Sequence, residues 1–192
     1  ALVSGHGRFR ILGQTLDDAA GEAVDKVGRM LGFRYPGGPA ISTAAETFHF
    51  SNKHSQLKFP RPMINSKDYN FSFSGLKTAV LYFIRDSDKT NPIQKLQSVI
   101  ARAFQNAVVD VLVAKTIRAA QEFGVKTVTL GGGVAANKLL RQRLANELTQ
   151  KLPRVPFITP ELSMAGDNAL MIAVAAYFCG KTKGLDNVQA DA

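Results

Sequence analysis

Several protein classes are excluded by what this sequence lacks. It has a single cysteine, Cys179, so no intramolecular disulfide can form, and no Cys-x-x-Cys or zinc-finger spacing is present. One thiol fits a reducing, cytoplasmic-type compartment, with an organelle as the alternative. Cys179 follows the apolar run Met171 to Phe178 and reads as a packing residue, not a nucleophile. No apolar run reaches the ~20 residues needed to span a membrane, and neither a signal peptide nor a membrane partner is expected. Low-complexity tracts are absent, and 45% hydrophobic against 20% charged residues argues for a folded core. Acids are the scarce charge. Lys and Arg number 24 against 15 Asp and Glu, for a net +9 over 192 residues. That excess suits a polyanion such as nucleic acid, or it is the generally basic surface of a soluble protein, because the basic residues are dispersed. The length allows one large domain or two small ones, and an initial Ala instead of Met fits a part of a longer chain.

The stretch around which the chain is organised runs from Val125 to Leu140. Val125 to Leu130 reads as a buried strand. Ala135 onward reads as a helix, with Leu139, Leu140, Leu144 and Leu148 on its apolar face. Between them lie Gly131, Gly132 and Gly133, which bring bare backbone N–H groups and a helix N-terminus to one place. That arrangement suits a phosphate or the edge of a nucleotide, or it is a tight strand-to-helix turn. The P-loop's Gly-Lys-Ser/Thr ending is missing, and the dinucleotide fingerprint is not matched. Arg154 to Thr159 makes a second strand, so the order predicts a βαβ unit with a parallel pair, in an α/β fold. Loops 131–133 and 163–168 then lie at the carboxyl ends of neighbouring strands, where open α/β sheets bind ligands. Asp167, beside the start of a last helix from Ala169 to Cys179, is either an N-cap or a carboxylate facing a nucleotide's metal.

Upstream, residues 1–13 hold two strand pieces with Ser4-Gly5-His6-Gly7 between them. Thr15-Leu-Asp-Asp18 resembles a capping box, so a helix is expected from Leu16 to Leu31, stopped by Gly32. Asp25 falls at the edge of its apolar face and, on pattern, reads as a solvated carboxylate. Tyr35-Pro-Gly-Gly-Pro39 reads as a rigid loop before a short helix over 40–47. Residues 48–70 mix Lys53, Lys58 and Arg61 with Phe48, Phe50 and Phe59, which suits RNA contact or a loop pinned by its aromatics. Asn70 to Ser74 alternates like a strand, and Ser74 caps a helix from Gly75 to Arg85. Lys77 sits in that helix's first turn, the unfavourable end for a cation, which suggests a functional role or a solvated lysine. Asn91-Pro92 starts a long scaffolding helix that Gly124 ends, and residues 180–192 form a frayed tail.

Five of these stretches, in this order, resemble the TsaD (YgjD, Gcp) family of tRNA threonylcarbamoyladenosine transferases. They are Thr15 to Lys26, Tyr35 to Pro39, Asn70 to Thr78, Gly131 to Asn137 and Asp167 to Ala173. The resemblance implies an actin-like, Hsp70-like ATPase fold (an RNase H-like lobe) of two lobes. Residues 14–192 would be the second lobe, with a nucleotide-binding βαβ unit at 125–180, and 1–13 a remnant of first-lobe strands. The implied reaction moves a threonylcarbamoyl group from threonylcarbamoyl-AMP to N6 of the adenosine 3′ to the anticodon, in tRNAs reading codons that begin with A. Asp25, Gly38 and Asn137 would bind the adenylate, and Ser4 and Gly5 match part of a Ser-Gly-Gly loop near its phosphate. Asp167 would ligate one divalent metal, iron by resemblance, with zinc or manganese also compatible with such ligands. The implied partners are tRNA, with Lys77 as a candidate contact, a TsaB-like paralogue and a TsaE-like ATPase.

The chain departs from the family at three places. His6, His49 and His54 are its only histidines, and none forms the family's His-x-x-x-His metal motif. The junction Val3 to Arg8 is shorter than a full strand and hairpin, and a similar loss is read near Glu46-Thr47-Phe48. Ala165-Gly166 precedes Asp167 where Cys-Thr is usual. Taken as a complete protein, the chain is expected to be inactive. The alternatives are a non-catalytic TsaD-like scaffold paralogue, and an actin-like ATPase or kinase, which would need an N-terminal phosphate loop.

Overall fold

The computed structural model describes residues 1–47, 56–87, 92–166 and 168–179. Lys53 with Phe48 and Phe50, the Asn91 cap, Asp167 and the 180–192 tail therefore lie outside the described residues. The first strand pieces form an antiparallel hairpin, β1 (Leu2–Gly5) and β2 (Arg8–Arg10), turned at Gly7 with φ +66°. Its apolar side chains Val3 and Phe9 are exposed.

Helix α1 spans Ala20–Met30 and starts later than Leu16, because the supposed capping box does something else. The Thr15 hydroxyl donates to the Asp18 carbonyl at 2.7 Å, closing a local turn. Asp17 accepts from the N–H groups of Phe73 (2.8 Å) and Ser74 (3.3 Å) and from the Ser72 hydroxyl, so it caps α3 (Ser74–Ser87), not α1. The strand expected at 70–74 is reduced to a bridge between Thr15 and Phe71, since residues 72–74 are drawn into that cap. Asp18 sits 2.7 Å from the Lys26 ammonium and 2.6 Å from that of Lys77. The cation in the first turn of α3 thus has a local electrostatic partner that offsets the helix dipole.

Helix α2 (Gly37–Glu46) begins at Gly37 instead of Ala40. It absorbs Gly38 and Pro39, since proline is tolerated in a first turn where its N–H would be unsatisfied anyway. A 3-10 turn (Ile93–Lys95) leads into α4 (Gln97–Glu122), the spine of the molecule. Phe104, Ile100 and Ala101 on its first half are fully buried with residues of α1, α2 and α3. Val109, Val113 and Ile117 on its second half are buried with Leu140, Leu144 and Leu148. Arg61 fixes the preceding loop to α4 through Asp110, with Nε and Nη2 3.0 and 2.8 Å from Oδ2. Phe59 is buried in the first core, in keeping with a loop pinned by its aromatics.

The predicted parallel pair is present but short: β3 (Val128–Thr129) beside β4 (Phe157–Ile158), with Val128 opposite Phe157. Between them the glycine loop runs first into a 3-10 turn, Gly133–Ala136, and α5 (Lys138–Lys151) starts only after Asn137. Asn137 holds an extended backbone (φ −67°, ψ 116°) and caps α5, which stops the helix from reaching back to Ala135. After a further 3-10 turn (Leu162–Met164), α6 (Ala169–Cys179) stands away from both cores. Its residues 169–178 are all exposed, including Tyr177 at 81% and Ile172 at 62%, while the Cys179 side chain lies outside what is described. No helix among the described residues is long and apolar enough to cross a membrane.

Hydrogen bonds from Lys26 and Lys77, against a smaller opposing effect of burial, hold the Asp18 carboxyl below its ordinary value of 3.8. A depressed carboxylate pKa stabilises the fold above the unfolded-state value and loses that contribution as pH falls through the folded-state value. The urea midpoint should therefore drop steeply below pH 3.8, and Asp18→Asn should flatten that dependence while lowering the midpoint at neutral pH.

Candidate functional site

Helices α1 and α2 meet through glycine. A Cβ on Gly28 would lie 2.9 Å from the Gly37 Cα, and one on Gly37 would lie 2.8 Å from the Asp25 Cα. The backbones can approach this closely only because both side chains are hydrogen. The approach brings Asp25 to the N-terminus of α2, where its Oδ1 accepts from the Gly37 N–H at 2.8 Å. A carboxylate there offsets the partial positive charge of the helix end. That end therefore favours a ligand presenting hydroxyl donors over a bare anion.

A cleft of about 610 Å³ opens beside this junction. Val24 and Asp25 of α1, Gly38 and Ser42 of α2, Gly133 of the glycine loop and Asn137 at the start of α5 all line it. Gly38 adds backbone without a side chain, and a Cβ there would meet only Val24 Cγ1, at 3.9 Å. Gly131, Gly132 and Gly133 all face open space, and Gly132 has φ +81°, a conformation that favours glycine. At the mouth, Lys138 Nζ stands 3.8 Å from Glu46 Oε1, both well exposed.

Three of the predicted site residues, Asp25, Gly38 and Asn137, thus share one cleft although 112 positions separate the first from the last (137 − 25). The pattern-based reading of Asp25 as merely solvated is set aside by its bond to Gly37. Ser4 and Gly5 are not brought to this cleft. Both belong to β1, where the Ser4 hydroxyl donates to the Arg8 carbonyl at 3.3 Å, and Ser4 borders a separate cavity of about 690 Å³ with Tyr69, Phe71 and Lys115. Lys77 does not line the cleft and is engaged by Asp18. Asp167 is outside the described residues. Among the described residues no three His, Cys, Asp or Glu side chains gather to hold a metal.

Ser42, Glu46 and Lys138 also line the cleft, and two of them had a sequence signal. Ser42 lies one turn after Gly38 on the same helix, and Lys138 adjoins Asn137. Lys115, only 2% exposed, is anchored instead of reactive. It donates to the Ser66 hydroxyl at 2.8 Å, to the Asp68 carbonyl at 3.3 Å and to the Asn70 carbonyl. Burial pushes its ammonium below the ordinary lysine value, with Asp68 opposing that effect.

The fold has a counterpart in a solved structure, "Crystal structure of T.kodakarensis HypF", with TM-score 0.57 and 21% identity over 84% of this chain and 19% of that one. That likeness is of fold alone, and it is consistent with an actin-like α/β lobe. A family model described as TsaD, tRNA N6-adenosine threonylcarbamoyltransferase, matches residues 1–174. Curated relatives bearing that description include one from Thermosipho africanus, 48% identical over 92% of this chain and 51% of its own length. Others are from Thermosipho melanesiensis, 50% identical over 88% of this chain and 49% of its length, and Listeria monocytogenes, 44% identical over 96% and 53%. The chain belongs to the TsaD family. It spans about half the length of these relatives.

Asp25→Asn keeps an oxygen for the Gly37 N–H and removes the charge. It should leave the melting temperature nearly unchanged. Asp25→Ala should lose about 1 kcal/mol of stability with the cap, read from the urea midpoint.

Proposed function

We propose that this chain forms the nucleoside-holding part of a tRNA N6-adenosine threonylcarbamoyltransferase. The observation that carries the proposal is the cleft in which Asp25, Gly38 and Asn137 converge. In this reading the AMP portion of threonylcarbamoyl-AMP lies in the cleft. A carboxylate is suited to accept from ribose hydroxyls, and the bare backbone of Gly38 lets the nucleoside come close. Lys138 at the mouth supplies positive charge toward the phosphate.

The chemistry is an acyl transfer. N6 of the tRNA adenosine attacks the carbamoyl carbonyl, the bond from that carbon to the phosphate oxygen breaks, AMP departs and N6 loses a proton. Holding AMP rigidly turns it into a positioned leaving group. A divalent metal enters the proposal through Asp167 alone. It would offset charge on the departing phosphate, and the His-x-x-x-His ligands of the family pattern are not in this sequence. The net +9 charge fits tRNA as the acceptor, with Lys58 exposed on the basic loop. A TsaB-like paralogue and a TsaE-like ATPase remain the proposed protein partners, by resemblance. The apolar, exposed α6 and the hairpin β1–β2 meet where His6 stacks on Phe178, ring centroids 4.5 Å apart. We assign that surface to contact with the remainder of the full-length protein, since exposed apolar patches of this kind mark interfaces.

The test supplies full-length protein and partners with threonylcarbamoyl-AMP and a tRNA reading A-initial codons. The wild type should yield the N6-threonylcarbamoyl adenosine by mass spectrometry. Asp167→Ala should abolish it while the melting temperature holds. Failure of the wild type to modify tRNA would overturn the reading, and phosphate release from ATP without tRNA would point to the ATPase or kinase alternative.

A further inference from the structure

The cleft contains a hydrogen-bond chain whose direction is set by one backbone group. The Leu140 N–H is an unambiguous donor, and it points at Asn137 Oδ1 at 3.0 Å. This fixes the Asn137 amide, so its other end must be the donor Nδ2. One Nδ2 hydrogen goes to Gln105 Oε1 at 2.9 Å and the other to Ser42 Oγ at 3.2 Å. Gln105 must therefore present its oxygen to Asn137, and that same oxygen accepts the Ser42 hydroxyl at 2.9 Å. Every donor on Asn137 and Ser42 is now used. What each retains is one oxygen lone pair. Both residues line the cleft, and so does Asp25, whose second carboxylate oxygen is also an acceptor.

From this we infer that Gln105 is a positioning residue for the nucleoside site. Sitting on α4 and taking both hydrogens, it turns Asn137 and Ser42 into acceptors, so their wall selects ligands that present donors. The inference rests on the nucleoside reading above and deepens it. On an adenosine nucleotide the matching donors are the 6-amino group and the ribose hydroxyls. A 6-oxo purine, or a sugar stripped of a hydroxyl, would leave an acceptor facing an acceptor or nothing. Such mismatches of buried polar groups discriminate strongly between near-isosteres. Without Gln105, the Leu140 N–H would still orient Asn137, but one Nδ2 hydrogen and the Ser42 hydroxyl would lose their acceptor, and a wall offering donors as well as acceptors would discriminate little.

The experiment titrates full-length protein with AMP, IMP, 2′-deoxy-AMP and 3′-deoxy-AMP by calorimetry. At least one donor-deleted analogue should bind tenfold or more weakly than AMP. IMP as the weak ligand assigns the wall to the base, and a deoxy analogue assigns it to the ribose. Gln105→Leu removes the acceptor at similar size and should shrink that discrimination to within about threefold. Gln105→Glu retains two acceptor oxygens and should restore it. Melting temperatures of the three proteins separate this from a folding defect, because a merely structural Gln105 would move stability and leave the AMP-to-analogue ratio intact. An unchanged ratio in Gln105→Leu, or equal binding of all four nucleotides by the wild type, overturns the inference and leaves the nucleoside reading standing. Absence of AMP binding by the wild type overturns both.

Discussion

The site depends on the approach of two helices at glycine. Gly28 and Gly37 let α1 and α2 come together at backbone distance, and only at that distance can Asp25 reach the first N–H of α2. One hydrogen bond then does two things. It satisfies a helix end that would otherwise be left open, and it holds a carboxylate at the edge of a cleft with its second oxygen available. Gly38, the next residue, follows on the same wall because the helix has begun there. A bulkier residue at Gly37 would separate the helices and remove both the cap and the wall.

Helix α4 makes the second wall commensurate with the first. Its first half shares a core with α1, α2 and α3, and its second half shares another with α5 and β3. Leu112 packs against both cores. The polar link from Ser42 through Gln105 to Asn137 crosses between these two packed units at the cleft. Apolar packing therefore sets how far apart the walls stand, and a few directed hydrogen bonds set what they present. Further along, Gln97 ties the start of α4 to the end of α1 by donating to the Leu31 carbonyl at 2.7 Å.

Elements encoded by local pattern were legible in the sequence. The apolar spacing of α4, the leucines of α5 and the strand–helix–strand order around the glycine loop all led to the observed elements, including the parallel pair. Errors arose where a short polar side chain chose a distant partner. Asp17 looked like part of a local capping box, yet it serves a helix end 56 positions away (73 − 17). Lys77 looked anomalous in a first turn, because its partner Asp18 is equally remote. Helix α5 starts later than apolar periodicity suggested, because the Asn137 cap fixes its first turn at Lys138. The site itself was only partly readable. Periodicity placed Asp25 on a surface, and resemblance to a family drew attention to it. Gln105 had no sequence signal, because its two partners lie 63 and 32 positions away.

We propose that this chain supplies the nucleoside wall of an acyl-transfer site. A crystal structure of the full-length protein with threonylcarbamoyl-AMP bound tests it most directly. The account predicts the ribose within hydrogen-bonding distance of the Asp25 carboxylate, and the nucleoside between Gly38 and Asn137. A nucleotide bound elsewhere, such as in the cavity beneath the β1–β2 hairpin, with Asp25 still facing only Gly37, would contradict it.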